Sequence, residues 1–305
     1  MPYKIAIASG KGGTGKTTVA VNLWYLFRKH SDRYVGLVDC DVEEPNALIF
    51  FDDAEKQGEQ EIFQMVPEID IKRCTFCRKC VDFCEFNALV VIPPAKFAEV
   101  NSGLCHSCGA CLVACPEQAI SEFPLSVGKV TNYKLDERGQ LIEGMLKVGS
   151  AMQTMLIKKL KKLVPDEFEI ILYDSPPGTS CSVVETLNGS DYVVLVSEPT
   201  PFGLYDLKIM TELLGEIKKP FGIVINKAGV GNNDLYEYIE KEGFELLGEL
   251  PFDETYAGSY ARGSLFRDIP DTIRDSYRQI VNKLETKEEA YRSWQLSYYP
   301  ENKHR

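Results

Sequence analysis

Residues 10 to 17 read "GKGGTGKT", and the chain around them leaves little choice of fold. The stretch obeys the pattern G-x-x-x-x-G-K-[ST], lying between an apolar run, Tyr3 to Ser9, and the amphipathic "KTTVAVNLWYLFRKH". A glycine-rich turn from strand to helix aims successive backbone N–H groups at one spot, and the helix adds the positive end of its dipole. That spot suits a polyphosphate. The amides of Gly13, Gly15, Lys16 and Thr17 are expected to approach it, in a loop that includes Gly10, Gly12, Thr14 and Thr18. Lys16 is expected to reach the β- and γ-phosphates of ATP, and the Thr17 hydroxyl to hold Mg2+. Four more strand-like runs follow: "YVGLVD", "FEIILYD", "DYVVLVS" and "FGIVINK", with helical stretches among them. The expected class is α/β, a P-loop NTPase with a mostly parallel sheet and helices on both faces.

The alternation is interrupted by cysteine. Eight of the ten cysteines fall between Cys74 and Cys115. A shift of 31 residues superimposes Cys74, Cys77, Cys80 and Cys84 on Cys105, Cys108, Cys111 and Cys115. The duplication implies an inserted α+β module at 62–125, with half-units at about 64–93 and 95–124. The ATPase is then split into 1–61 and 126–285, and 286–305 is left as a tail. After the module, "GKVTNYKLDERGQLIEG" reads as a hairpin turning at Asp136 to Gly139. A helix is expected from about Gly149 to Leu163, ended by Pro165.

Each copy carries C-x2-C-x2-C-x3-C, the run found in bacterial-type ferredoxins. Three close thiolates wrap one 4Fe–4S cluster while the fourth ligates the other. One cluster is therefore assigned to Cys74, Cys77, Cys80 and Cys115, and the other to Cys84, Cys105, Cys108 and Cys111. Zinc is the alternative, although structural zinc usually joins two C-x2-C knuckles across a longer loop. Pro116 follows the last cysteine of the second copy, and Glu85 stands at that position in the first. His106 reads as a surface or supporting residue rather than a ligand.

Four segments, "SGKGGTGKTT", "LVDCDVEEPN", "YDSPPGTS" and "VINKAG", together resemble the deviant-Walker-A ATPases: MinD/ParA, the Mrp-type iron–sulfur carriers and the nitrogenase iron protein. Within these, the chain resembles the MinD-superfamily ATPases that contain an inserted ferredoxin domain. The resemblance implies a nucleotide-sandwich homodimer in which Lys11 reaches the partner's phosphates. It implies that Asp41 orients the attacking water and that Asp174 holds Mg2+ through water. Gly178 would offer an N–H to the γ-phosphate, and Asn226 would read adenine. Cys181 stands at the offset of an interfacial cluster ligand of the nitrogenase iron protein, but no second such ligand is evident. A buried structural thiol is the alternative there. Cys40 reads as a small hydrophobe pointing into the sheet.

Charge narrows the partners. The chain carries a net −11, which argues against general affinity for nucleic acid or anionic lipid. No run reaches the ~20 apolar residues of a bilayer span. No signal segment is evident at the start, so a reducing, cytoplasmic setting is expected. The stretch 60–125 has five Lys/Arg against eight Asp/Glu, and two thiolate-bound clusters would add roughly −4. A redox or apo-metalloprotein partner with a basic patch is expected from this total. The last segment, interrupted by Pro300, lacks a clear apolar face and reads as a packed or frayed helix, not a stable membrane anchor. Three functions remain: ATP-dependent assembly or transfer of an iron–sulfur or mixed-metal centre, ATP-gated electron transfer, and a MinD/ParA-like spatial regulator with redox-sensing clusters.

Overall fold

A computed structural model describes residues 1–266 and 269–298. In chain order, β1 (Tyr3–Ala8) leads through the glycine loop into α1 (Lys16–His30), and β2 (Val35–Asp39) follows. The inserted region runs from β3 (Glu55–Ile69) through α2 (Lys79–Asp82), β4 (Leu89–Ile92), β5 (Phe97–Val100) and α3 (Ala110–Ala114) to β6 (Ile120–Asp136). Then come β7 (Gly139–Leu146), α4 (Gln153–Lys162), β8 (Ile170–Asp174), α5 (Cys181–Leu187), β9 (Tyr192–Ser197) and α6 (Pro201–Glu216). The chain continues through β10 (Phe221–Ala228), α7 (Asp234–Glu242), β11 (Leu246–Pro251), α8 (Glu254–Ala261) and α9 (Asp271–Tyr298).

One sheet of nine strands, in the order β11-β10-β9-β1-β8-β2-β7-β6-β3, organises these elements. From β11 to β7 every neighbour is parallel; β6 and β3 are added antiparallel at one edge. The central strands are buried on both faces, which explains their unbroken apolar runs. Alternation along β1 divides the work. Ile5 and Ile7 face α1 and α9, packing with Leu23, Phe27, Tyr277 and Ile280. Ala6 and Ala8 face the other layer, with Leu156 and Leu160 of α4, Val183 of α5 and Leu207 of α6.

β3 and β6 pair from Glu55↔Lys134 out to Ile69↔Ile120. Their inner halves extend the ATPase sheet, and beyond Gly128, where pairing with β7 stops, they continue as a two-stranded ribbon. The expected boundaries at 62 and 125 thus fall inside continuous strands. At the ribbon's end the β4–β5 hairpin and the short α2 and α3 enclose a small core of Cys80, Leu89, Val91 and Cys111. So small a core needs reinforcement from bound metal or a comparable staple.

The hairpin after the module turns where the sequence places it, between Asp136 and Gly139. The next helix begins at Gln153 rather than near Gly149, because Gly149 sits at φ +84, outside the helical region. Nor does the fold pause at 286. α9 runs through it, with Glu288 almost fully buried and paired to Arg33 at 2.6 Å, while Tyr291 packs on Tyr3. Pro300 lies outside the described residues. Leu160 supports the end of β7, lying 3.1 Å from where a Cβ on Gly144 would stand. Leu160→Ala is expected to cost about 2–5 kcal/mol, measured as a lower urea midpoint at unchanged slope.

Candidate functional site

The loop between β1 and α1 opens into a cleft with about 1290 Å3 of space free of protein atoms, mouth included. Gly12, Gly13, Gly15, Lys16, Thr17 and Thr18 form its floor, and Asp41, Pro177 and Asn226 its sides. Gly15 caps α1 at φ +89, where a Cβ would stand 2.3 Å from Asn226 Nδ2. Both the conformation and the close approach require glycine. Asn226 Nδ2 donates to Thr14 O at 2.8 Å, so the end of β10 buttresses the loop. Opposite the phosphate loop, Phe252, Tyr256 and Tyr260 make an aromatic wall of the size a purine needs. Nothing in the local sequence pattern marked that wall.

Lys16 is 7% exposed, its Nζ 3.5 Å from Lys11 O. Burial pulls its pKa below the usual lysine range, against the pull of Asp174 and Asp41. Those carboxylates are crowded. Register places Asp39 beside Asp174 on one neighbour and Glu143 on the other. Asp39 accepts N–H groups from Asp41, Asn46 and Ala47 at 3.0–3.1 Å and so shapes the loop after β2. Both Asp174 oxygens are buried and neither accepts a hydrogen bond; Thr17 and Lys16 act on them from beyond hydrogen-bond geometry. Burial pushes Asp174 well above the usual carboxylate range. Asp39 is raised too, by burial and then by Asp174. Burial also lifts Asp41 to about 6, opposed by Lys16. An orphaned, buried carboxylate beside Thr17 fits a hydrated divalent cation.

Lys11 does not point into the cleft. Its Nζ lies 3.6 Å from Glu198 Oε2 and faces the Phe202 ring at 5.9 Å. The other Glu198 oxygen takes Lys227 Nζ at 2.5 Å, and the same Nζ donates to Gly13 O at 3.3 Å. Glu198 carries no motif signal, since a Glu after a strand is common, and Lys227 lies in "VINKAG" without an expected role; only the fold brings them to the loop. Gly178, at φ +90, donates its N–H to Ser9 O at 3.1 Å in this conformation. Cys181 is exposed at the start of α5, so the reading as a buried structural thiol is corrected, whereas Cys40 is fully buried as expected of a small hydrophobe.

At the ribbon's end are two matched hollows of about 350 Å3 each by the same measure. Cys74, Cys77, Cys80 and Cys115 line one; Cys84, Cys105, Cys108 and Cys111 line the other. The crossed sets of the sequence are therefore brought together. The backbone repeats as well. Left-handed φ values recur at Phe76 and Ser107, Arg78 and Gly109, Asn87 and Gln118. These twists aim amides at sulfur: Phe76 N and Ser107 N donate to Cys74 and Cys105 Sγ at 3.4 Å, and Ala88 N and Ala119 N to Cys84 and Cys115 Sγ at 3.3 Å. Donors of this kind stabilise thiolate and suit an anionic cluster. Among the described residues no three potential ligands gather tightly enough for a single ion. Burial, with Cys105 next, pushes Cys111 up to about 11, so its ligating form depends on bound positive charge. His106 stacks on Phe86 at 3.8 Å over the second hollow.

The sequence profile of the CobQ/CobB/MinD/ParA nucleotide binding domain matches residues 5–266. An uncharacterized protein of Methanocaldococcus jannaschii is 31% identical over 279 residues, which is 91% of this chain and 96% of its own. The iron-sulfur cluster carrier protein of Pyrococcus furiosus is 25% identical, across 92% of this chain and 86% of its own. The cell division ATPase MinD of Pyrococcus furiosus superposes with a TM-score of 0.55 at 18% identity, over 94% of this chain and 99% of its own. A plasmid partition protein of Borrelia burgdorferi bound to AMPPNP gives 0.57 at 17% identity, over 94% and 100%. Among the described residues no helix is long and apolar enough to cross a membrane.

The raised pKa of Asp174 sets a pH dependence. In the empty protein this carboxyl keeps its proton above the pH at which an unfolded aspartate has lost it. Its contribution to stability is therefore present at low pH and lost as pH rises through the folded pKa. Mg2+ needs the charged form, so Mg2+-dependent nucleotide affinity should keep climbing with pH above 5, by up to about tenfold per unit for one proton released. Calorimetric titrations between pH 5 and 8 would show this climb, and Asp174→Asn should flatten it.

Proposed function

This chain belongs to the CobQ/CobB/MinD/ParA nucleotide-binding family, and we propose that it is a dimerising, ATP-hydrolysing iron–sulfur protein that assembles or transfers an iron–sulfur or mixed-metal centre. The observation that carries this reading is the joining of two site types by one ribbon. A phosphate-loop cleft with an orphaned Asp174 lies on the sheet, and two four-cysteine hollows sit at the end of strands from that sheet. Similarity to proteins named as iron–sulfur cluster carriers supports it.

In this reading ATP lies along the α1 N-terminus, with Lys16 against the β- and γ-phosphates. Thr17 and Asp174 would hold Mg2+, which would offset charge on the phosphates. Asp41, with its pKa already raised to about 6, orients the attacking water and takes up its proton. Lys11 leaves Glu198 to reach the γ-phosphate of a second copy, where it neutralises charge on the transferring group. Glu198 keeps Lys227 as its counter-ion, so the departure leaves no bare buried carboxylate. Gly178 exchanges Ser9 for phosphate, which couples the cleft to α5 and to Cys181. The 4Fe–4S groups held by the two cysteine sets would supply one-electron chemistry. The receiving apo-protein, with a basic patch, would meet the acidic part of the module.

The repeated pair of hollows also suits a relay, so ATP-gated electron delivery to a partner is the second reading. Reconstituted, reduced protein mixed separately with an apo-ferredoxin and with an oxidised, cluster-loaded ferredoxin, each with and without ATP, separates the two: iron and sulfide move to the apo-protein under the first, electrons alone reduce the loaded acceptor under the second. ATP-independent transfer of both would refute the coupling. Anaerobic preparations should hold about eight iron and eight sulfide per chain. Cys84→Ala should impair the cluster of the second loop more than that of the first, read by iron content and EPR. Lys11→Ala should bind ATP normally yet lose hydrolysis and ATP-induced dimerisation. Mixed with Asp41→Ala it should recover turnover, since one site of the mixed dimer is then complete. No recovery would mean that Lys11 acts within its own chain.

A further inference from the structure

The two halves of the module share a backbone, so each serves as a reference for the other. In the first, Lys72, Arg73, Arg78 and Lys79 ring the cysteine loop, all exposed, as is Cys77. The corresponding positions of the second half are Gly103, Leu104, Gly109 and Ala110. Four cations have been placed where an equivalent loop manages with none. The clearest position is 78. Gly109 holds a left-handed φ of +71, which glycine adopts freely, whereas Arg78 holds φ +68 with a full side chain. A strained residue kept where glycine fits invites a functional explanation. Arg73 Nη2 reaches Glu117 O at 3.0 Å and so spans the mouth of the first hollow, which Arg78 also lines.

Acidic groups lie close by. Asp70 accepts the Lys72 N–H, Glu117 lines the hollow and exposed Asp82 shares α2 with Lys79, but these three carboxylates are outnumbered by the four cations. The second hollow has no Lys or Arg in its lining, only Glu122 and His106. The module's net negative charge therefore hides a polarity: a basic rim at the first hollow and an acidic surround at the second. Local potential, not the total, steers a partner over the last ~10 Å.

We propose that the rim of Lys72, Arg73, Arg78 and Lys79 docks a one-electron carrier protein with a carboxylate-rich face, which exchanges its electron at the hollow of Cys74, Cys77, Cys80 and Cys115. This rests on that hollow being a cluster site. One electron passes between carrier and cluster, and no bond forms or breaks. A basic partner suits only the opposite, acidic side.

The test uses reconstituted, reduced holoprotein with its iron and sulfide counted. Stopped-flow oxidation is followed with two probes, a flavodoxin, which is acidic, and cytochrome c, which is basic. Flavodoxin should react faster at low salt and slow about tenfold as salt is raised to several hundred millimolar. Lys72→Glu with Lys79→Glu should lower its low-salt rate by about tenfold and raise that of cytochrome c, at unchanged iron content. Lys96→Glu, the same charge change on the β4–β5 turn, should leave both within about twofold. Loaded protein whose flavodoxin rate ignores the double reversal, or falls as much with Lys96→Glu, overturns the docking surface alone. A chain that binds no iron and sulfide overturns this proposal together with the cluster reading.

Discussion

The crowding of buried carboxylates at the ends of adjacent parallel strands is the constraint on which the rest of the molecule turns. Asp39 and Asp174 are held side by side by the sheet register, with Glu143 on the next strand. Two like charges that close in a medium of low dielectric cannot both ionise without a cation. The fold answers this unequally. Asp39 is given three backbone donors, and Asp174 is given none. The first becomes a structural anchor for the loop that carries Asp41. The second stays unsatisfied, and under the proposed function metal-bound nucleotide would satisfy it. Nucleotide state would then act on the strand ends themselves.

From those ends the influence has a material path. Val42, just past Asp41, accepts the N–H of Leu146 at 2.7 Å, and its side chain packs against Gly144. The end of β7 is therefore tied to the switch loop on one side and to β6 on the other. β6 begins at Ile120, directly after Ala119, whose N–H donates to Cys115 Sγ in the cysteine module. No flexible linker intervenes on this side.

What could be read in the sequence follows from how local each feature is. The phosphate loop and the cysteine sets are short, stereotyped solutions, so spacing alone was enough to find the glycine-rich floor of the cleft and the cysteines of both hollows, though not the cleft's aromatic wall. The parallel strands showed themselves by unbroken apolar runs. β3 did not, because "EKQGEQ" is exposed along its whole length and its partner lies 60 residues or more away. The contacts of Glu198 and Lys227 were invisible for the same reason: their meeting with Lys11 and Gly13 depends on strand order, which no window of sequence reports. The helix expected from about Gly149 is present but starts only at Gln153, because Gly149 holds a left-handed φ.

The ribbon has one more property, and it is mechanical. Between Gly128, where β6 leaves β7, and Ile120 the two strands project by eight residues, or roughly 25 Å at strand rise. A beam of that length, rooted in the sheet, multiplies small rotations. A tilt of about ten degrees at its root would carry the tip through about 4 Å, roughly a strand spacing. Electron tunnelling and ligand exchange both respond steeply to distances of that size. Under the proposed function the inserted region would be a lever arm with its fulcrum at the edge of the sheet that carries the phosphate loop, and its cysteines would ride where the travel is greatest.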